Sequence, residues 1–258
     1  MKKTALSLAA ALVFGIAAPA AAEAIKVGVD PAPYKPMSWQ EADGSFHGFE
    51  VEVVAAACAA AGMDCVHEPV AWNGIIAALE TQKIDMIASS MSITAKRLEV
   101  VDFSEPYVSS RAIYIGHKDL AFDPDDAAIM ESVLMGVQTG TAHEDYLTRK
   151  FDSKINLKIY QAQDEQLADL VAGRVDVILA GRMGSLEFLA APENADYVVL
   201  AEVEDESYPP LSIGVAFRKA DPNIAIFNTG LKAILENGTY DEIAKKYFDF
   251  DVYGKPRG

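Results

Sequence analysis

The sequence has few basic residues, little cysteine and no long apolar run beyond its first two dozen residues. Among 258 residues, 22 are lysine or arginine and 38 are aspartate or glutamate, so the formal net charge is −16 at pH 7. This acidity argues against binding to nucleic acid or to an anionic membrane surface. No later apolar run reaches the length of a transmembrane helix. Since a metal-ligand spacing, a phosphate-binding loop and a nucleophile motif are also missing, we expect no catalytic residue and no cofactor.

The amino terminus has the three parts of a secretory signal peptide, predicted over residues 1–22. Two lysines start it, an apolar run follows, and Ala20-Ala21-Ala22 supplies the small-residue cleavage motif. Cleavage after Ala24 satisfies the same rule, and no cysteine stands there to carry a lipid anchor. The expected product is a soluble, exported, periplasmic chain of about 235 residues, long enough for two lobes.

Only two cysteines are present, Cys58 and Cys65. Export places them in an oxidising compartment, and no histidine accompanies them in a metal-ligand spacing. The pair therefore predicts a structural disulfide between the end of one helix and the start of the next strand.

The chain predicts two successive series of strands and helices, which is typical of an α/β fold with mostly parallel sheets covered on both faces. The first series has strands at 25–29, 65–70 and 84–88 and helices at 49–61, 72–81 and 94–101. The second has strands at 133–138, 157–160 and 175–180, helices at 142–150 and 164–172, and a helix from 183. Two helices at 223–236 and 240–247 close the chain.

Extended segments at 111–117 and 211–217 are expected to cross between two lobes. One lobe would comprise residues 25–110 with 212–258, and the other residues 111–211. Open α/β sheets bind ligands at the carboxyl ends of their strands. A ligand cleft is therefore expected where those ends face each other.

A run of hydroxyl residues follows the strand predicted at 84–88. Ser89, Ser90, Ser92 and Thr94 occur within six positions, and Arg97 lies one turn further on. N–H groups at a helix start favour an anion, and an arginine fork matches a carboxylate bidentately. A helix cap beside a solvent-facing arginine explains the same residues, so the run alone leaves both interpretations open.

Six segments of the chain carry a family resemblance. They are residues 48–52, the cysteine pair, 89–94 with Arg97, 101–107, 136–141 and 238–248. Together they resemble the polar amino-acid family of periplasmic solute-binding proteins that serve ABC importers, above all its lysine/arginine/ornithine-, histidine- and opine-binding members. The resemblance covers the whole mature chain. It implies a type II periplasmic-binding-protein fold with two hinge strands, a monomer, and a membrane permease as partner.

The resemblance also implies a carboxylate site. Ser89, Ser90, Ser92 and Arg97 match the family's contacts to the ligand α-carboxylate. Thr141, which on its own would be a helix cap, is expected to add a hydroxyl and an N–H from the other lobe.

Other matches concern the rest of the ligand. Tyr34 and Trp72 match the aromatic pair that sandwiches the ligand side chain, although an aromatic at helical spacing is more often core. Asp30 matches the acid that meets a distal cationic group, with a turn aspartate as the alternative. Gln138 and His143 match cleft positions of the opine binders, whereas a lone histidine is more often structural.

One position departs from the family pattern. Basic amino-acid binders carry an aspartate after the strand predicted at 175–180, where it holds the ligand α-ammonium. Here Gly181 stands at that position, followed by Arg182. Without that aspartate, the cleft is expected to have more space and not to repel a carboxylate carried on a substituted ligand α-nitrogen. Arg182 would pair with that added carboxylate.

The predicted ligand is therefore a cationic, arginine-like amino acid or an opine-type N-substituted derivative such as octopine or nopaline. The alternative is an ordinary α-ammonium held by another residue, such as a water-bridged Gln138. The competing function is an exported dehydratase-like enzyme on the same fold, with His143 or Asp30 as its acid.

Overall fold

The structure, a computed structural model, describes residues 24–152, 154–208 and 211–254. The predicted signal peptide lies outside the described residues. Within those ranges, no helix is both long enough and apolar enough to cross a membrane.

The strands and helices are as follows. The strands are β1 (Ile25–Val29), β2 (Trp39–Gln40), β3 (Phe46–His47), β4 (Cys65–Pro69), β5 (Met86–Ile87), β6 (Val101–Phe103), β7 (Val108–Ser110), β8 (Ala112–His117), β9 (Leu134–Gln138), β10 (Asn156–Tyr160), β11 (Val177–Gly181), β12 (Tyr197–Glu202), β13 (Leu211–Ile213) and β14 (Ala216–Arg218). The helices are α1 (Phe49–Ala60), α2 (Ile75–Glu80), α3 (Ala95–Leu98), α4 (Ala127–Ser132), α5 (Ala142–Phe151), α6 (Gln163–Val171), α7 (Leu186–Ala190), α8 (Asn223–Glu236) and α9 (Thr239–Tyr247).

The first sheet has the strand order β4-β1-β5-β14-β6. Strand β1 is parallel to β4 and β5, and β14 is antiparallel to both of its neighbours. Side chains of α1, α8 and α9 pack on this sheet in one core, in which Phe49, Met86, Phe217, Phe227 and Tyr240 are fully buried.

The second sheet has the strand order β10-β9-β11-β8-β12. Strands β9, β10 and β11 are parallel, and β8 is antiparallel to β11 and β12. Two sheets of mixed direction, each packed against helices, confirm the predicted α/β class.

The chain crosses between the sheets through two short strands. Strand β7 leads from the first sheet to the second, β13 leads back, and the two pair antiparallel with Ser109 opposite Ser212. The prediction placed the outward crossing at 111–117, but β8 lies inside the second sheet, so the crossing is earlier. The return segment is also not one strand, because it divides into β13 and β14.

The helix after the serine run is shorter than predicted. It spans a single turn, Ala95–Leu98, capped by the Thr94 hydroxyl, which accepts from the N–H of Arg97 at 3.2 Å. It ends early because Val101–Phe103 joins the first sheet beside β14. The helix predicted at 72–81 likewise begins with a 3-10 turn, Trp72–Gly74.

The sequence did not predict helix α4 or strands β2, β3, β6 and β7, but it predicted one cross-link. The hairpin β2–β3 surrounds the Asp43-Gly44 turn, and α4 begins after Asp126, whose side chain caps it. The disulfide between Cys58 and Cys65 is formed, and it joins the end of α1 to the start of β4 as expected.

Candidate functional site

A cavity, called here the cleft cavity, lies where strand ends of the two sheets face each other. Asp30 follows β1, the serine run follows β5, Gln138 ends β9 and Gly181 ends β11. All the ligand-contact residues predicted from the sequence line this cavity: Asp30, Tyr34, Trp72, Ser89, Ser90, Ser92, Arg97, Gln138, Thr141, His143 and Gly181. The chain thus brings them together, and their individual roles stay predictions.

Arg97 is the basic residue of the cleft cavity. Its side chain is only 8% exposed. Its Nη1 donates to the carbonyl of Ser92 at 2.7 Å and its Nη2 to the carbonyl of Gly140 at 3.0 Å. Burial lowers the pKa of Arg97 to about 10, so the group is protonated at neutral pH. Among the described residues, no carboxylate oxygen lies within 4.0 Å of the Arg97 guanidinium, which is the distance of an ion pair. A buried cation without an anion is a costly arrangement that favours an incoming carboxylate.

The serine run serves two different purposes. The Ser89 hydroxyl accepts from the N–H of Asp30 at 3.1 Å, which ties the ends of β1 and β5 together. Ser90, whose φ is +48°, donates its N–H and its hydroxyl to the carboxylate of Glu50, at 2.8 Å to Oε2 in both cases. Ser90 was predicted to donate to a ligand carboxylate, but both of its donors are committed to Glu50.

The N-terminus of α3 also contributes less to anion binding than the sequence predicted. The serines precede Thr94, and α3 has only four residues. A one-turn helix adds little dipole. The case for an anion therefore depends on Arg97.

Asp30 is the acidic residue of the cleft cavity. Its Oδ1 accepts from the N–H of Ala32 at 3.2 Å, and burial raises the pKa of its carboxyl. No other aspartate or glutamate is among the described residues that line the cavity. The cavity therefore offers one anionic group and one cationic group, as the two ends of a zwitterion require.

Trp72 and Tyr34 both reach residues that follow strands of the second sheet. The Trp72 indole N–H donates to the carbonyl of Thr139 at 2.9 Å. The Tyr34 ring lies against Gly184, where an added Cβ would be 2.2 Å from the ring. Its hydroxyl lies 2.7 Å from the Cβ position of Gly181. Both aromatic residues therefore help to close the cavity.

The surroundings of Gly181 and Arg182 differ from those that the sequence predicted. The space expected there is filled by the Tyr34 hydroxyl. Arg182, expected to meet an added carboxylate, instead forms an ion pair with Glu202 and is not among the residues that line the cavity. Neither the open space nor the free arginine is therefore present at this position, whereas Gln138 and His143, the other two matches to opine binders, line the cavity.

The remaining candidates form a hydrogen-bonded edge beside β9 and α5. The Thr141 hydroxyl donates to the carbonyl of Gln138 at 2.7 Å and caps α5 by accepting from the N–H of Glu144. Nδ1 of His143 lies 2.6 Å from the Tyr208 hydroxyl. Burial, together with the charge of Arg97, lowers the pKa of His143 to about 4, so the imidazole is neutral.

Further contacts join the two sides of the cavity at its rim. Asn73 Nδ2 donates to Gln161 Oε1 at 2.8 Å. Lys96 Nζ lies 3.6 Å from Asp145 Oδ1, and Lys35 Nζ lies 3.7 Å from Glu187 Oε1. The cleft is therefore closed in this structure.

The sequence matches a family model over residues 25–250, described as bacterial extracellular solute-binding proteins, family 3. The chain belongs to this family. It is 33% identical to the lysine/arginine/ornithine-binding periplasmic protein of Escherichia coli (strain K12) over 98% of this chain and 100% of that protein. It is also 33% identical to an L-arginine-binding protein of Pseudomonas aeruginosa, over 98% and 99%.

The fold of this solute-binding protein also matches solved structures. One is a substrate-binding protein of an ABC uptake transporter from Streptococcus pneumoniae with bound histidine. The TM-score is 0.81 at 27% identity, over 90% of this chain and 95% of that one. These relatives are named as binding proteins, in agreement with the predicted absence of enzyme activity.

Several polar residues of this solute-binding protein were missed from the sequence, namely Ser38, Ser110, Gln163 and Gln166 in the cavity wall and Glu50 beside Ser90. Gln163 and Gln166 line the cavity from one face of α6. The Gln166 amide donates to the carbonyls of Gly136 and Leu179 at 2.8 and 3.1 Å, and its Oε1 has no hydrogen-bond partner among the described residues. Glu50 lies behind Ser90. The sequence signal that could have identified such residues is a polar side chain on the buried face of a helix. Glu50, for example, shares the buried face of α1 with Val53, Val54 and Ala57.

Proposed function

We propose that this protein binds a cationic, arginine-like α-amino acid in the cleft cavity. The observation that carries the proposal is Arg97, a buried cation that lines the cavity and has no carboxylate partner among the described residues. A ligand α-carboxylate supplies the missing charge, and it can accept from the donors of the guanidinium that Ser92 and Gly140 leave free.

Asp30 supplies the charge at the other end of the ligand. It is the acidic residue among the described residues of the cavity wall, and burial raises the pKa of its carboxyl. A guanidinium or ammonium beside it favours the ionised form. Relatives named for arginine and for lysine, arginine and ornithine support this choice.

The free amino acid is preferred over the opine-type derivative. The opine prediction rested on space at Gly181, on a free Arg182 and on the matches at Gln138 and His143, which do line the cavity. The Tyr34 hydroxyl takes that space, and Glu202 takes that arginine. Binding of octopine or nopaline is therefore kept as an alternative outcome of the thermal-shift test described below.

The proposed role is delivery of the ligand to the permease of an ABC importer from the periplasm. Periplasmic relatives of nearly equal length and the predicted signal peptide support this role. We further propose that residues 25–110 with 212–258, and residues 111–211, are the two lobes that close on the ligand by bending at β7 and β13.

A thermal-shift panel tests the proposal. Ligand that binds only the folded chain raises the melting temperature by mass action. We expect stabilisation by arginine, with lysine, ornithine and histidine ranked behind it. Strong stabilisation by octopine or nopaline with none by the free amino acids would instead support the opine reading. If none of these compounds stabilises the protein, the proposed ligand class is wrong.

A further inference from the structure

Glu50 is a buried carboxylate held by neutral donors. It lies on α1 and has no exposed surface. It accepts from the N–H of Ser90, from the Ser90 hydroxyl and from the Tyr107 hydroxyl. In the part of the chain that the structure describes, no lysine, arginine or histidine lies within 4.0 Å of it. Burial raises the pKa of the Glu50 carboxyl, because a charge buried without a counter-ion is unfavourable, and a cation bound nearby favours the ionised form.

Ser90 connects this carboxylate to the cleft cavity. Ser90 lines the cavity, whereas Glu50 lies behind it. Since the N–H and the hydroxyl hydrogen of Ser90 both go to Glu50, the serine has only acceptors left, its carbonyl and the lone pairs of Oγ. A hydroxyl that donates to a carboxylate becomes a stronger acceptor, because hydrogen bonds in a chain polarise one another. The cavity face of Ser90 therefore favours a hydrogen-bond donor.

The charges of the proposed ligand point to the same place. This step depends on the proposed function, in which the ligand carries one carboxylate and two cationic groups. Arg97 takes the carboxylate and Asp30 takes the distal cation. The cavity wall holds no second carboxylate for the α-ammonium among its described residues, since Gly181 has no side chain.

We propose that Glu50 is a specificity-determining residue, which supplies the negative charge for the ligand α-ammonium through Ser90. An ammonium bonded to the Ser90 oxygen is one hydroxyl group away from Glu50, since Ser90 Oγ and Glu50 Oε2 are 2.8 Å apart. Coulomb attraction falls only with the inverse of distance, and it is weakly screened in a buried site. The counter-charge thus lies outside the cavity surface, next to the group that it neutralises.

A purely structural role makes a different prediction. Glu50 also fixes Ser90 at a positive φ, so its loss could simply distort the serine run. Distortion would weaken every ligand that uses the cavity. Loss of a counter-charge weakens only ligands that carry the α-ammonium.

The test compares two ligands on two variants by calorimetry. The ligands are arginine and 5-guanidinopentanoate, which lacks only the α-nitrogen. The variants are Glu50→Gln and Glu52→Gln. Glu52 is the matched control, because it lies on the same helix but pairs with Lys246 and Tyr247 away from the cavity.

We expect Glu50→Gln to weaken arginine by about tenfold or more and the analogue by less than about threefold, with Glu52→Gln changing neither. Equal losses for both ligands, or no loss for arginine, would overturn the proposal. If wild-type protein binds neither compound nor any basic amino acid, the proposed function itself fails.

Ser90→Ala decides the matter if Glu50→Gln does not fold. It removes the bridging hydroxyl but keeps the backbone N–H that Glu50 accepts. We expect the same selective loss of arginine over the analogue, and an equal loss for both ligands would overturn the proposal.

Discussion

The guanidinium of Arg97 lies over the ring of Trp72, with Cζ 5.2 Å from the ring centroid. Each residue also donates to a carbonyl that follows β9, Trp72 to Thr139 and Arg97 to Gly140. The stacked pair therefore joins the proposed carboxylate site to the contacts that close the cleft. We expect these two side chains to couple ligand binding to closure of the cleft.

Replacing Arg97 tests the carboxylate site. Arg97→Ala should weaken arginine binding by about 2–5 kcal/mol, because a buried carboxylate loses its charged partner. Arg97→Lys should lose less, since it keeps the charge but not the planar fork. Calorimetry that shows an Arg97→Ala loss below about tenfold, or roughly 1.4 kcal/mol, would contradict the assignment.

Gly184→Ala tests the contact that Tyr34 makes across the cleft. A Cβ at this position meets the Tyr34 ring at 2.2 Å, so the closed arrangement should be blocked and ligand affinity reduced. Gly74→Ala is the matched control, because nothing lies within 4 Å of its Cβ position. Small-angle scattering with saturating ligand should show compaction for the control only.

Adding Tyr34→Ala to Gly184→Ala should restore compaction by removing the obstructing ring. Full compaction of the single variant Gly184→Ala would show that Tyr34 does not set the closed state.

Removing the disulfide should affect stability and leave the ligand site unchanged. Replacing Cys58 and Cys65 by serine should lower the free energy of unfolding by about 2–3 kcal/mol, since a short loop is released. Both residues lie outside the cleft cavity, so arginine affinity should stay within about twofold. Denaturant unfolding and calorimetry on the same sample measure the two effects, and a large affinity loss would contradict this separation.

His143 should make folding stability depend on pH. Its pKa in the folded chain is about 4, against about 6.5 in an unfolded chain. Between these values the unfolded chain binds the additional proton. The contribution is therefore fully present above pH 6.5 and is lost as pH falls towards 4, at up to about 1.4 kcal/mol per pH unit.

The variant His143→Gln isolates that contribution. Its free energy of unfolding should vary less with pH over this window than that of the wild type. His47→Gln is the control, because His47 is exposed on β3. Identical pH profiles for His143→Gln and the wild type would contradict a neutral, buried His143.

The sequence predicted most of the strands and helices and the residues that gather at the cavity. Local periodicity indicated the strands and helices, whereas most of the cavity residues were implied by the family resemblance. The sequence did not predict contacts between residues far apart in the chain. Glu50 takes the donors of Ser90 from 40 residues away, and Tyr34 fills the space above Gly181. The short α3 has the same cause, since the pairing of β6 with β14 depends on residues near the other end of the chain.

The proposed function requires the cleft to bind a cationic α-amino acid by both of its ends. Calorimetric titration of ligand-free protein with L-arginine, agmatine and L-citrulline measures what each end contributes. Agmatine lacks the carboxylate that Arg97 would bind, and citrulline lacks the cation that Asp30 would bind. We expect arginine to bind one-to-one and to exceed each analogue by at least about a hundredfold, because each leaves a buried charge unpaired. Equal affinity for arginine and agmatine, or no heat with arginine, would contradict the proposed function.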